Sequence, residues 1–234
     1  MNIYFYFPLL FLMNYGFFTI INFPYDRQII SNIIVRGAHS TGCIYYIAPI
    51  IMKYNFHLID FNEIPIPEIV IYIYNRSIAF FIWDCFALLI SNEKEKLTFI
   101  SHHLICSITI LIVLYNQINW YLICLAIFVG EITNPLTQIS EYCELIQYKN
   151  LIIEKTYFYS MFFIRGFIFP IILILFTKDI FLNYDRMNQL SDRHKISLMV
   201  IYCSCSLITI ASVNWIYKKY PLIYNINDKK MSYM

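Results

Sequence analysis

Long apolar runs separated by short polar segments dominate the pattern of this chain. Seven runs come close to the roughly 20 predominantly apolar residues that a helix needs to cross the hydrocarbon core of a bilayer. These runs cover approximately residues 3–22, 28–52, 69–91, 98–116, 119–141, 153–176 and 196–218. None of the polar segments between them is long enough to hold a soluble domain. The pattern therefore predicts an all-α fold, a polytopic transmembrane helical bundle of about seven helices.

Composition leads to the same class of protein. Of the 234 residues, 59% are hydrophobic and only 14% are charged, whereas about 25% of the residues of soluble domains are charged. A soluble chain of this size could not bury so much apolar surface. The net charge of +2 is too balanced to suggest nucleic-acid binding, so no nucleic-acid partner is expected.

The predicted helices divide the chain into three parts. An N-terminal transmembrane helix lies within residues 1–24, a membrane domain covers residues 25–220, and a short tail covers residues 221–234. The first helix is expected to be retained, because it lacks the basic leader and the small-residue cleavage site of a signal peptide. With seven helices, nine Lys and Arg residues lie beside the spans on one side of the membrane and five on the other. The positive-inside rule then places the C-terminus in the cytosol.

Ionisable and amide side chains interrupt several of the apolar runs. Such groups are costly inside hydrocarbon and normally face the interior of a helix bundle or a wet cavity. Their spacing of three, four or seven residues puts them on one face of each helix. We expect the following side chains to line an intramembrane polar pocket: Arg36, His39, Asp84, Asn134, Gln138 and Arg165. Pro135 is expected to kink its helix beside this pocket.

A structural interpretation stands beside this functional one. Glu131 and Arg165 lie midway along two helices and could neutralise one another as an interhelical pair that fixes the packing. Arg36 is close enough to the start of its helix to extend its side chain to the lipid headgroups. Asp84 could pair with Arg76 or with a histidine.

Two adjacent histidines, His102 and His103, lie at the start of the fourth apolar run. Adjacent side chains on a helix point about 100° apart, so one neighbour does not easily occupy both. Because neutral imidazole exchanges a proton near pH 7, the sharper hypothesis is general acid–base catalysis by these histidines with Glu131 as their partner. A structural hydrogen-bonding role is the alternative, and His39 is more typical of a hydrogen-bonded core residue. No HxxH or HxxxH array occurs, so neither a metal nor a cofactor is predicted.

These polar residues, in this order, resemble those of the TLC-domain family of membrane-lipid proteins, which includes the ceramide synthases. The resemblance covers about residues 25–220 and rests on Asn32–His39, Ile82–Asp84, Ser101–Leu104, Gly130–Pro135, and Arg165 followed by Pro170. It implies six core helices preceded by one further helix. Within the family, the sequence is most similar to the branch called TLC domain-containing protein 4, or transmembrane protein 56.

One motif of the ceramide synthases is missing. Those enzymes combine the double histidine with a His-Asp…Asp motif on the following helix, where this chain has Gly130-Glu131-Ile132-Thr133. The resemblance therefore implies a protein of lipid homeostasis that binds or senses a membrane lipid in the polar pocket. The alternative is an acyl-CoA-dependent N-acyltransferase with His102 or His103 as general base, and a transporter or channel is the third hypothesis. The resemblance also implies a location in the endoplasmic reticulum or connected endomembranes.

Overall fold

The computed structural model of the protein describes residues 27–53, 65–90, 95–117, 119–148 and 150–231. This part of the chain contains helices and connecting turns and no strand. The helices are α1 (Arg27–Lys53), α2 (Glu68–Ile90), α3 (Lys96–Asn116), α4 (Trp120–Glu131), α5 (Asn134–Leu145), α6 (Leu151–Phe163), a π-helical turn (Ile164–Ile168), α7 (Phe169–Leu182), α8 (Tyr184–Gln189) and α9 (Asp192–Met231).

Helices long and apolar enough to cross a membrane recur along the described residues. The five stretches that meet this description are Glu68–Leu89, Lys96–Asn116, Trp120–Leu145, Leu151–Leu182 and Asp192–Asn214. Helix α1 has 27 residues, a length of about 40 Å, but its polar stripe makes it less apolar than these five. Together they confirm the predicted helical membrane bundle. The predicted first helix, 3–22, lies outside the described residues.

The expected break at Pro135 is confirmed. Helix α4 ends at Glu131, and α5 begins at Asn134. Pro135 lies in the first turn of α5, where a missing backbone N–H costs nothing because the first N–H groups of a helix have no intrahelical acceptor. Glu131 and Asn134 flank this break, one helical turn apart.

A second irregularity, a π-helical turn over Ile164–Ile168, was not predicted. The Phe169 amide donates to the Ile164 carbonyl, which lies five residues back instead of four. Pro170, in the first turn of α7, has no N–H to donate to the Gly166 carbonyl, and this loss favours a wider turn just before it. Arg165 lies inside this turn, so its direction does not follow from an ideal helix.

The core lies around α2, which is the most enclosed of the five spans. Trp83 and Tyr74 on α2 and Trp120 on α4 are almost completely buried, and the Tyr74 hydroxyl donates to the Trp120 carbonyl. Helix α1 packs against α4 and α5, and α9 packs against α3. Helix α9 is longer than the predicted 196–218, since it continues to Met231 through most of the predicted tail.

Candidate functional site

Asp84 on α2 connects α1 and α3 through its two carboxylate oxygens. The Arg36 Nε donates to Oδ1 at 2.8 Å, and the His103 Nε2 lies 3.2 Å from Oδ2. The expected pairing of Asp84 with a histidine is thus confirmed, but the pairing with Arg76 is wrong because Arg76 donates to the Ala38 carbonyl. The expectation that Arg36 extends to the headgroups is also wrong, since its side chain is held by Asp84. With only 3% of Asp84 exposed, this is a buried ion pair.

Glu131 on α4 is the second buried carboxylate, and it connects α4, α1 and α5. Its Oε2 accepts from the Ser40 hydroxyl at 2.5 Å and from the Asn134 amide at 2.8 Å. Arg165 donates through Nη2 to the Asn134 Oδ1 at 2.6 Å and to the Gly130 carbonyl at 2.9 Å. Glu131 and Arg165 therefore make no direct hydrogen bond, and the interhelical interaction expected between them runs through Asn134. Asn134 lies one helical turn beyond Glu131, and its amide bridges the two charged groups.

His39 is a core residue, as its solitary position suggested. Its ring stacks on Phe80 with the centroids 3.8 Å apart and the planes 7° apart. Its Nε2 lies 3.5 Å from the Cys43 sulfur. Only 2% of His39 is exposed, so the imidazole fills the space between α1 and α2 as an aromatic side chain would.

The two adjacent histidines have different surroundings. His103 is buried and packs edge-on against Phe81, with the ring centroids 5.0 Å apart. His102 is half-buried, and its ring nitrogens lie 3.8 Å from the Cys106 sulfur, a weak contact one turn along α3. The two imidazoles also contact each other, with their centroids 5.4 Å apart. The expectation that one neighbour does not occupy both rings agrees with this geometry.

The carboxylate beside an imidazole is Asp84, and the expectation that Glu131 takes this place is wrong. The hydrogen bonds of Glu131 come from Ser40 and Asn134, whereas His103 lies against Asp84. The reason is which helices are neighbours. Helix α3, which carries His103, packs much more extensively on α2, which carries Asp84, than on α4, which carries Glu131. Catalytic roles for His102, His103 and Glu131 stay predictions.

Two partners in this network were missed from the sequence. Ser40 lies one helical turn beyond Arg36, on the same face of α1, but its bond to Glu131 depends on how α1 and α4 pack. The Gly130 carbonyl accepts from Arg165 at the break between α4 and α5. The proline rule does not identify this acceptor, because the N–H that Pro135 lacks would have faced the Glu131 carbonyl, four residues back, and not that of Gly130.

Several buried polar atoms have no hydrogen-bond partner among the described residues. In helices α1 to α5 and the π-helical turn, these are His39 Nδ1, His103 Nδ1, Thr133 Oγ1, Gln138 Oε1 and Arg165 Nε. Buried polar groups are nearly always hydrogen-bonded to protein or to ordered water. Several unpartnered polar atoms in one part of the bundle therefore indicate a binding site for water or a ligand.

We call this region the polar centre; it comprises Arg36, His39, Ser40, Asp84, His103, Glu131, Asn134, Gln138 and Arg165. In the described part of the chain, no three His, Cys, Asp or Glu side chains come together as a metal site would require. The arrangement offers paired charges, a carboxylate–imidazole contact and unpartnered donors and acceptors inside an apolar bundle. These features define an α-helical integral membrane protein with a polar centre within the membrane.

Residues 30–219 match the family model of the TLC domain, which is most of the chain. The protein belongs to the TLC-domain family, whose members are typically multi-pass membrane proteins of lipid metabolism. The match confirms the family suggested by the sequence resemblance. No curated protein matches the chain.

Proposed function

We propose that the polar centre binds the polar end of a membrane lipid and that the protein acts in lipid homeostasis. The observation that carries this proposal is the set of buried, unpartnered polar atoms on neighbouring helices. A lipid brings a polar end that can bond to such atoms and hydrocarbon chains that lie among apolar helices. Ligand pockets commonly combine an apolar lining with a few converging polar groups.

The helices around the polar centre are suited to hydrocarbon chains. Large apolar side chains are exposed on the outside of α3 and α7, among them Leu104, Ile108 and Ile174. Inside, Gln138 lies against Gly37 of α1, and its Oε1 has no partner in the described part of the chain. A lipid group that donates to Gln138 Oε1 would supply a hydrogen bond that no described residue supplies.

The first test is identification of the lipid that co-purifies with the full chain in mild detergent, by extraction and mass spectrometry. Gln138→Leu is expected to lower the amount of bound lipid roughly threefold to tenfold, since one hydrogen bond contributes about 0.5–1.5 kcal/mol. The fold should persist, because the substitution breaks no bond of Oε1 within the described residues.

Gln189→Leu is the matched control, since Gln189 is exposed on α8. This control should keep the full amount of lipid. Equal lipid content in both variants, or no bound lipid in the parent protein, would contradict the proposal.

A second candidate function, acyl transfer from acyl-CoA to an amine or alcohol, is favoured by the contact between His103 and Asp84. Asp84 orients His103 with Nε2 as the donor, which leaves Nδ1 as the base. His103 would take the proton of the attacking amine or alcohol as its new bond to the acyl carbon forms. The thioester bond then breaks, and the proton passes to the departing thiolate to give free CoA.

For this second function, His103→Ala should lower the rate of acyl transfer at least about 100-fold, because loss of a general base has an effect of this size. His102→Ala should have a smaller effect, since His102 contacts a thiol and no carboxylate. The rates are measured with a long-chain acyl-CoA and with sphingoid and glycerol-based acceptors. Equal losses in the two variants, or no turnover in the parent, would contradict this function.

The proposal extends to location and to the branch of the family. We place the protein in the endoplasmic reticulum or connected endomembranes, with its C-terminus in the cytosol, and in the TLC domain-containing protein 4 branch. The excess of Lys and Arg on one side of the spans supports the orientation. Protease digestion of intact microsomes that carry a C-terminally tagged chain tests it: the tag should be lost without detergent, and protection of the tag would overturn it.

A further inference from the structure

Two arginines of the polar centre have very different partners. The Nε of Arg36 donates to a carboxylate, that of Asp84, at 2.8 Å. The Nε of Arg165 is buried and donates to no described residue. Both bonds of Arg165 start from Nη2 and end on neutral oxygens, those of Gly130 and Asn134. A guanidinium has five N–H donors, and the bonds of Arg165 to described residues use the Nη2 donors alone.

The arginines of the interior are not all bonded to a carboxylate. On the described helices, away from their ends, there are three arginines, Arg36, Arg76 and Arg165, and three carboxylates, Asp84, Glu131 and the half-buried Glu141. Asp84 is occupied by Arg36, and the hydrogen bonds of Glu131 come from Ser40 and Asn134. In the described part of the chain, no carboxylate oxygen accepts a hydrogen bond from Arg165. A charge in a low-dielectric interior requires a partner.

Of the two arginines without a carboxylate partner among the described residues, Arg165 is the better candidate than Arg76 to bind an added anion. Arg76 lies at the edge of the bundle, against the backbone of α1, where it donates to the Ala38 carbonyl. Arg165 has a buried Nε inside the bundle that donates to no described residue. The π-helical turn and the bonds to Gly130 and Asn134 fix the guanidinium in place.

We propose that Arg165 binds an anionic group, the carboxylate or phosphate of a lipid. This inference rests on the proposed lipid binding and specifies the chemical class of the lipid's polar end. Arginine is suited to both groups because its planar donors match their oxygens and its hydrogen bonds to them are charge-assisted. The anion places its charge beside the guanidinium and accepts from Nε, which donates to no described residue.

The test compares three probes with the same chain length on the purified full-length protein: oleate, oleoyl lysophosphatidate and oleyl alcohol. Binding is measured at a pH at which the oleate carboxyl is ionised. The parent protein should bind at least one anionic probe about tenfold to a hundredfold more tightly than the alcohol. Oleate and lysophosphatidate distinguish a carboxylate ligand from a phosphate ligand.

Arg165→Gln should remove this preference, and Arg165→Lys should keep part of it, because lysine retains the charge without the planar donors. The matched control Arg76→Gln should leave the preference intact. Equal binding of the alcohol and both anions by the parent, or an unchanged preference in Arg165→Gln, would overturn the anionic class while lipid binding stands. Failure of all three probes to bind would overturn both proposals.

Discussion

Asp84→Leu is expected to destabilise the protein by about 3–5 kcal/mol, which is typical of removing one partner from a buried ion pair. The substitution leaves the Arg36 guanidinium without its carboxylate and the His103 Nε2 without its neighbour. The free energy of unfolding is measured in mixed micelles of a mild detergent and a denaturing one. Asp185→Leu, at an exposed position on α8, is the matched control and should change stability by less than about 0.5 kcal/mol.

The double variant Arg36→Met with Asp84→Leu separates the lost pair from the buried charge that remains. Replacement of a whole buried pair by apolar residues of similar volume is often neutral or stabilising. The double variant should therefore recover most of the stability lost in Asp84→Leu. A double variant as unstable as the single one would show that the uncompensated charge of Arg36 is not the cause.

The helices could be predicted from hydrophobic runs because the bilayer fixes their length and leaves few alternatives to a helix. The predicted 28–52 and 69–91 differ from α1 and α2 by one residue at each end. The break before Pro135 followed from the chemistry of proline alone. The π-helical turn did not, since a single extra residue in a turn hardly changes the periodicity of an apolar run.

The pairing of the buried charges could not be predicted in the same way. The sequence showed which residues face inward but not how each helix is rotated against its neighbours. Arg36 therefore had two plausible environments, the polar pocket and the lipid headgroups, and the packing of α1 against α2 gives it Asp84 as its partner. Glu131 and Arg165 were expected to meet, but the side chain of Asn134 lies between them.

These pairings bear on function because they separate two kinds of polar group: those already bonded within the protein, and those that keep a donor or acceptor for a ligand. Asp84 and Glu131 are held by bonds within the protein, which makes them supports of the fold. Gln138 and Arg165 retain donors or acceptors that no described residue uses. Residues of the second kind are better candidates for ligand contacts, although both kinds share the same polar stripes in the sequence.

His39 tests this distinction because it belongs to both kinds. Its ring is a packed core element against Phe80, but its Nδ1 has no partner among the described residues. His39→Ala is expected to destabilise the protein by about 3 kcal/mol, as truncation of a buried aromatic ring leaves a cavity. His39→Phe keeps the stacked ring and should change stability by less than about 1 kcal/mol. Unfolding of both variants in mixed micelles measures the difference.

His194→Ala, at the start of α9, is the control for an imidazole outside the stacked core: it removes the contact with the Ser191 hydroxyl and should cost less stability than His39→Ala. If His39→Phe is as unstable as His39→Ala, the ring nitrogens hold this part of the bundle and the packing argument is wrong. If His39→Phe is stable, its lipid content becomes interpretable. A stable variant that has lost its lipid assigns Nδ1 to the ligand, since the substitution then removes the nitrogens and leaves the stacked ring.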